Sequence, residues 1–93
     1  VVDVTIPHTP ESLIDVLKSL IEQHEIYRIK GFIHVENKTM RMVLQGVSGR
    51  FEHYFDRKWK DGEIRKTSLV IIGDELKEKN LQSLINEQLT VLN

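Results

Sequence analysis

The sequence predicts an α+β domain in which two helices lie on one face of a mostly antiparallel five-stranded sheet. Apolar residues recur at helical spacing in two segments, one early and one at the end of the chain. Five further segments are short and either alternate or are rich in β-branched residues, as strands are. The predicted order is therefore β-α-β-β-β-β-α. Each helix has a single apolar stripe, so we expect both helices to cover the same sheet face.

The first two elements are a short strand over residues 2–6 and a helix that begins at Thr9 or Pro10. Thr9 can cap the helix, and Pro10 suits its first position. Ser12 is not the Glu or Gln of a capping box, so none is expected. The first strand, this helix and the next strand should form a right-handed crossover with parallel strands. The apolar stripe consists of Leu13, Ile14, Val16, Leu17, Leu20 and Ile21.

The middle of the chain predicts a meander of three strands, over residues 26–36, 40–47 and 51–57. Asn37-Lys38 and residues 46–49 form the turns between them. Alternation divides the second and third of these strands into two faces. One face carries Met40, Met42 and Leu44, and on the third strand Phe51, His53 and Phe55 share a face.

The last part of the chain predicts a polar turn with Asp61-Gly62, a strand over residues 67–73 and the second helix. The run of residues 69–72 has no polar face, so this strand should lie centrally or be covered on both sides. Asp74 is the expected cap of the helix. Its stripe consists of Leu81, Leu84, Ile85, Gln88, Leu89 and Leu92.

Composition limits the function classes. Ninety-three residues suit one domain, and because the chain begins with Val1 in a strand-like run, we expect residues 1–93 to be a piece of a longer protein. The net charge of −1 gives no overall attraction to nucleic acid or to an anionic membrane, and no apolar run is long enough to span a bilayer. The absence of cysteine excludes disulfides and thiolate metal sites. A reducing, cytoplasmic location is expected.

The stretch over residues 28–35 is the expected central strand and has the greatest functional content, because cationic and apolar residues alternate along it. Its predicted outer face carries Arg28, Lys30, Phe32 and His34. Such a strip is either a solvated sheet face or a contact surface, because interfaces favour arginine and aromatic anchors inside polar rims. Arg50 and Trp59 are predicted to join the same partner-binding surface.

Two other functions remain open for these residues. Residues 30–35 partly match the RNA-recognition pattern, with Phe32 as a stacking ring, but His34 replaces the second aromatic and the predicted element order differs from that fold. Alternatively, His34 and His53 could bind a metal or a small ligand from neighbouring strands. No Ser, His and acid spacing indicates nucleophilic catalysis, so no catalytic residues are assigned.

An ordered series of segments resembles the CobW C-terminal domain. The series comprises Tyr27-Arg28-Ile29-Lys30-Gly31-Phe32, Val43-Leu44-Gln45-Gly46-Val47, Arg50-Phe51, Trp59 and Leu69-Val70-Ile71-Ile72-Gly73, followed by a closing helix. Proteins of that family join this module to an N-terminal P-loop GTPase domain. They are implicated in delivering zinc or cobalt to target enzymes, including in cobalamin biosynthesis.

The resemblance implies a non-catalytic accessory domain that binds protein. GTP, Mg²⁺ and the Zn²⁺ or Co²⁺ cargo would belong to the parent protein, and no cofactor is expected here. The family's phosphate loop and C-x-C-C metal motif do not occur in this sequence. The implied partners are the GTPase domain of the same protein, a metal-accepting client or a second copy, with no nucleic acid and no membrane among them. His34 stands where the family often has an apolar or aromatic residue.

Overall fold

The computed structural model describes residues 1–92 and contains the predicted elements in the predicted order. They are β1 (Val2–Val4), α1 (Pro10–Gln23), β2 (Ile26–Ile33), β3 (Met40–Val47), β4 (Arg50–Lys58), β5 (Thr67–Gly73) and α2 (Glu78–Leu92). Both β1 and β2 are shorter than the sequence predicted. In each case the strand ends where its last pairing with β5 or β3 ends.

The sheet order is β1-β5-β2-β3-β4, and every neighbouring pair is antiparallel. The strand β2 is therefore central, as its sequence predicted. The strands β1 and β2 point in the same direction, as expected for the first crossover, but β5 lies between them. The strand β5 is thus an interior strand, but its apolar run is not covered on both sides, because Val70 and Ile72 are 47% and 51% exposed.

The core lies between the helices and one sheet face. The helix α1 contacts β2, and α2 contacts both α1 and β1. The predicted stripes point inward except at Leu92, which is 59% exposed because it lies in the last turn of α2. The fully buried side chains include Leu13, Leu17, Leu20, Ile29, Ile33, Leu44, Leu69, Ile85 and Leu89. Neither helix of residues 1–92 combines the length and apolar character needed to cross a bilayer.

The two expectations about helix caps were wrong. Thr9 and Ser12 do form a capping box: the Ser12 N–H donates to Thr9 Oγ1 at 3.1 Å, and the Thr9 N–H donates to Ser12 Oγ at 2.9 Å. A serine hydroxyl thus does what Glu or Gln usually does at this position. Asp74 does not cap α2, which begins four residues later; its carboxylate instead accepts the Tyr27 hydroxyl.

Gly31 allows β5 to approach the central strand closely. It pairs with Leu44 on β3 and with Leu69 on β5. A Cβ atom at this position would lie 2.1 Å from the Ser68 carbonyl oxygen and 2.9 Å from the Leu69 Cα. Because both are backbone atoms, they cannot move aside without disturbing the β2–β5 pairing.

We expect Gly31→Ala to lower the free energy of unfolding by about 1–3 kcal/mol, the usual effect of overpacking a rigid site. Lys30→Ala is the matched control, because the neighbouring side chain is exposed and should change stability by less than about 0.5 kcal/mol. Urea unfolding monitored by circular dichroism measures both. Equal midpoints for the two variants would contradict the close approach.

Candidate functional site

The sheet face away from the helices, called the open face below, carries three rows of side chains across β5, β2, β3 and β4. These rows follow directly from the strand register. The first is Ile72, Arg28, Val47 and Arg50; the second is Val70, Lys30, Gln45 and Glu52; the third is Ser68, Phe32, Val43 and Tyr54.

The first two rows form an exposed half of the open face, called the basic half below. Val47 and Val70 are each 47% exposed and Ile72 is 51% exposed, which is high for side chains of a paired sheet. Three cations stand among them and are exposed too: Arg28, Lys30 and Arg50. Within residues 1–92 these three cations form no ion pair and no side-chain hydrogen bond. The basic half therefore presents free positive charge beside exposed apolar surface.

The third row begins a closed half, in which Phe32 lies beneath Arg41. The Arg41 Cζ atom stands 3.7 Å from the centroid of the Phe32 ring, a cation–π contact. Asp56 holds the guanidinium there through two hydrogen bonds, one of them 3.1 Å from Nε to Oδ1. The hydrogen bond from Arg41 lowers the pKa of Asp56 below its ordinary value. Arg41 therefore occupies a ring face on which an RNA base would have to stack.

His34 and Trp59 complete the closed half. Their rings meet edge to face, with centroids 6.0 Å apart and planes at 88°. Trp59 is only 8% exposed, and its backbone N–H donates to the Thr39 carbonyl at 3.1 Å. Its indole Nε1 is buried without a hydrogen-bond partner among the described residues. Trp59 thus packs within the domain rather than standing free as an anchor for a partner.

A buried hydroxyl fixes the position of His34. Thr67, 1% exposed, accepts the His34 backbone N–H at 3.0 Å. Its Oγ1 also lies 2.7 Å from His8 Nε2, while His8 Nδ1 lies 2.7 Å from the Ile6 carbonyl. Since a carbonyl can only accept, Nδ1 carries a proton, and in the neutral ring Nε2 accepts the Thr67 hydroxyl. The threonine thereby joins β5, the segment after β1 and the end of β2.

The structure does not bring His34 and His53 together. His34 follows the last residue of β2, whereas His53 pairs with Leu44 in the middle of β4. Among residues 1–92 no group of three or more His, Cys, Asp or Glu side chains is placed to hold a metal ion. The hypothesis of a metal site made by these two histidines therefore has no geometric support.

The turn that carries Trp59 is held by an ion pair. Arg57 donates to both oxygens of Glu63, at 2.9 and 2.8 Å, and the Lys60 N–H donates to Glu63 Oε1 at 2.9 Å. These hydrogen bonds, the one from Arg57 above all, lower the pKa of Glu63 to about 2. The ionised carboxylate thus fixes the segment that follows β4.

The predicted partner-binding residues thus fall into two groups. Arg28, Lys30 and Arg50 lie together on the basic half. The other three, Phe32, His34 and Trp59, belong to the closed half. Four further residues share the open face but were not predicted from the sequence: Val47, Val70, Ile72 and Tyr54. Alternation along β3 would have placed Val47 on the open face. For β5, whose residues are apolar on both sides, only the register with β2 shows that Val70 and Ile72 lie on this face.

The fold and the face together define a small α+β module with one helix-covered and one open sheet face. Residues 1–89 match the family model described as the cobalamin synthesis protein cobW C-terminal domain, so the chain belongs to that family.

Two curated relatives carry the name zinc chaperone CobW. The protein from Pseudomonas aeruginosa is 49% identical over 74 residues, which are 78% of this chain and 20% of that protein. The protein from a Sinorhizobium species is 47% identical over 64 residues, 69% of this chain and 18% of that protein. The chain therefore spans about a fifth of the length of these relatives.

Two solved structures share the fold. One is the Zn(II)-bound YjiA GTPase from E. coli, with a TM-score of 0.71 and 24% identity over 94% of this chain and 28% of that one. The other is a Zn(II)-bound triple mutant of YjiA GTPase, with a TM-score of 0.73 and 22% identity, covering the same shares of the two chains.

We expect Thr67→Val to lower the free energy of unfolding by about 1–3 kcal/mol, because it leaves the partly buried His34 N–H without its acceptor. Thr67→Ser is the matched control, since it keeps the hydroxyl and loses only a methyl group. Thermal or urea unfolding compares the two. If the valine variant proved as stable as the serine variant, the hydrogen bonds to Thr67 would have no net role.

The carboxylate of Glu63 should stabilise the fold only while it is ionised. Its folded pKa of about 2 lies below the value of about 4.3 expected in an unfolded chain. Its contribution is therefore fully present above about pH 4.5 and is lost as the pH falls toward 2. Glu63→Gln should flatten the pH dependence of unfolding in this window, whereas Glu22→Gln on α1 should not. Titration of the side-chain carboxyl carbon by NMR measures the pKa directly, and a midpoint above 4 would contradict this assignment.

Proposed function

We propose that this chain is the non-catalytic accessory domain of a longer CobW-like GTP-binding metal chaperone. In this proposal it docks against the GTPase domain of the same protein through the basic half of its open face. GTP, Mg²⁺ and the transported Zn²⁺ or Co²⁺ would be handled by the rest of that protein, in zinc delivery or cobalamin biosynthesis. Residues 1–93 would then form one domain of a cytoplasmic protein.

Membership in the CobW C-terminal domain family supports this proposal. The named relatives are about five times longer than the matched segment, so most of each relative lies outside the part that this chain resembles. Relatives named as a zinc chaperone and a fold shared with a GTPase both favour a parent protein with these activities.

One observation carries the choice of surface: three unpaired cations share the basic half with three exposed aliphatic side chains. Most arginine and lysine side chains that serve only solubility stand among charges of both signs. Here Arg28 lies between Ile72 and Val47, and Lys30 lies between Val70 and Gln45. The two rows contain one carboxylate, Glu52 at the β4 end of the second row. A protein surface with carboxylates around an apolar patch would complement this arrangement, because burial of the aliphatic groups supplies affinity while the charges set orientation.

The alternative functions have less support. RNA binding requires a free aromatic ring on the open face, but Arg41 covers Phe32. The strand histidines that could bind a metal or a small ligand lie at different places in the sheet. A metal-accepting client and a second copy remain partners that the same module could bind in addition to the GTPase domain.

The proposal predicts that Arg28→Ala combined with Lys30→Ala weakens binding to the separately produced GTPase domain of the parent protein. A reduction of roughly tenfold or more is expected, because arginine anchors commonly contribute over 1 kcal/mol each. Isothermal titration calorimetry at low and physiological salt measures the effect. The wild-type affinity should fall as salt rises, since exposed charges are screened.

The matched control is Lys18→Ala combined with Lys79→Ala, which removes the same charge from exposed positions on α1 and α2. This control should bind as the wild type does. If both double variants bound equally well while circular dichroism showed an intact fold, the basic half would not be the docking surface.

A further inference from the structure

The strand β4 is a long edge that nothing in the described chain covers. It runs for nine residues, contains no proline and pairs only with β3 among residues 1–92. The opposite edge, β1, has only three residues and lies against α2. Four consecutive residues of β4, from Glu52 to Phe55, are exposed. Natural sheets usually protect such an edge with short length, proline or covering segments, because its free N–H and C=O groups accept another strand.

We propose that the occupant of this edge is a second copy of the chain, paired antiparallel through β4 with the two-fold axis at His53. The two sheets would then join into one of ten strands. The edge pairs through backbone groups and shares only Arg50 with the basic half, so this inference does not depend on docking to the GTPase domain. This inference assigns a surface and a strand register to the second copy that was named as a possible partner.

Charge and aromatic complementarity select this register. With His53 opposite its own copy, Phe51 faces Phe55 and Arg50 faces Asp56, each twice by symmetry. The Asp56 carboxylate would then be shared between Arg50 of the second copy and Arg41, to which it is already hydrogen-bonded. Residues of each such pair have the same parity along the strand, so they lie on the same side of the joined sheet. Opposite charges and aromatic pairs directly across an antiparallel pair are the favourable combinations. The remaining pair, Glu52 and Tyr54, matches a carboxylate with a hydroxyl donor.

Neighbouring registers are less favourable. An axis at Tyr54 would oppose Glu52 to Asp56 and Arg50 to Lys58, which are like charges. An axis at Glu52 would oppose two carboxylates at the centre. An axis at Phe55 would oppose Glu52 to Lys58, but it would also place His53 against Arg57 and carry the central pairing across the bulge at Asp56. The β-bulge in the pairing of β3 with β4, beside Arg41 and Met42, falls at Asp56. The regular part of the proposed register therefore runs from Phe51 to Phe55, and the pair of Arg50 and Asp56 lies at its irregular end.

The arrangement of the helices leaves room for a second copy. The helix α2 contacts β1 and α1 contacts β2, which are the far edge and the centre of the sheet. Phe55, on the helix-facing side of β4, is still 40% exposed. In the proposed pair it would lie against Phe51 of the second copy, which would cover apolar surface that the helices do not reach.

A cysteine scan of the 93-residue chain tests both the edge and the register, because the natural sequence has no cysteine. Residues directly opposite in an antiparallel pair have Cα atoms about 4.5–5.5 Å apart, within the range for a disulfide. His53→Cys should therefore form a covalent dimer under mild oxidation. In the same register, two copies of Tyr54→Cys would have Cα atoms about 8 Å apart, which is too far.

The expected result is that His53→Cys crosslinks roughly tenfold faster than Tyr54→Cys or Phe55→Cys, and that Val91→Cys on α2 is slower still. A maximum at Tyr54 or Phe55 would overturn the register. Rates no faster than that of Val91→Cys at all three positions would overturn self-pairing through β4 and leave the edge to an extended segment of another protein.

Sedimentation of the reduced wild type provides the second measurement. His53→Lys should raise the dimer dissociation constant by roughly three- to tenfold, because two like charges would face each other at the axis. Gln23→Lys, which adds the same charge at the end of α1, should leave it unchanged. A wild type that stays monomeric at all accessible concentrations would overturn the proposal. A loss of docking by Arg28→Ala and Lys30→Ala does not bear on it, since neither residue lies on β4.

Discussion

Two helices can cover only part of a five-stranded sheet, and the rest of this structure follows from that limit. Packed helices lie 8–10 Å apart, so two of them cover roughly 20 Å of a sheet face. Five strands at about 4.8 Å spacing occupy roughly 24 Å. Since α2 lies over β1 and α1 lies over β2, the uncovered strand is β4 at the far edge. One face and one edge of the sheet must therefore be stabilised without a helix.

The two halves of the open face meet this limit differently. In the closed half, Arg41 lies on Phe32, and a turn held by Arg57 and Glu63 brings Trp59 over the sheet beside His34. Val43 is 6% exposed there, although it faces away from the helices. Phe32, His34, Val43 and Trp59 thus form a small second cluster. The ion pairs around this cluster, Arg41 with Asp56 and Arg57 with Glu63, form within the domain. The basic half has no such cover, so its free cations are available for another molecule.

The sequence predicted the element order, the central strand and the alternation of faces along β2, β3 and β4, because hydrophobic periodicity reports burial on one side. It did not predict what covers the open face. From the sequence alone, Phe32 and Trp59 cannot be distinguished from exposed aromatic anchors. In the fold, Arg41 covers Phe32, and the turn after β4 buries Trp59. The same holds for Ser12, whose role depends on a hydroxyl rotamer, and for β5, whose insertion between β1 and β2 is a matter of chain topology.

Arg50 stands where the two uncovered surfaces meet. It ends the first row of the basic half, opposite Val47, and it is also the first residue of the β4 edge. A partner on the open face and a strand on the edge would both draw on the same guanidinium. If both proposed contacts form, Arg50 is the one residue that they share, since an arginine paired with a carboxylate on the edge is no longer free for a partner above the sheet. The basic half of the open face and the β4 edge are thus adjoining surfaces that meet at Arg50.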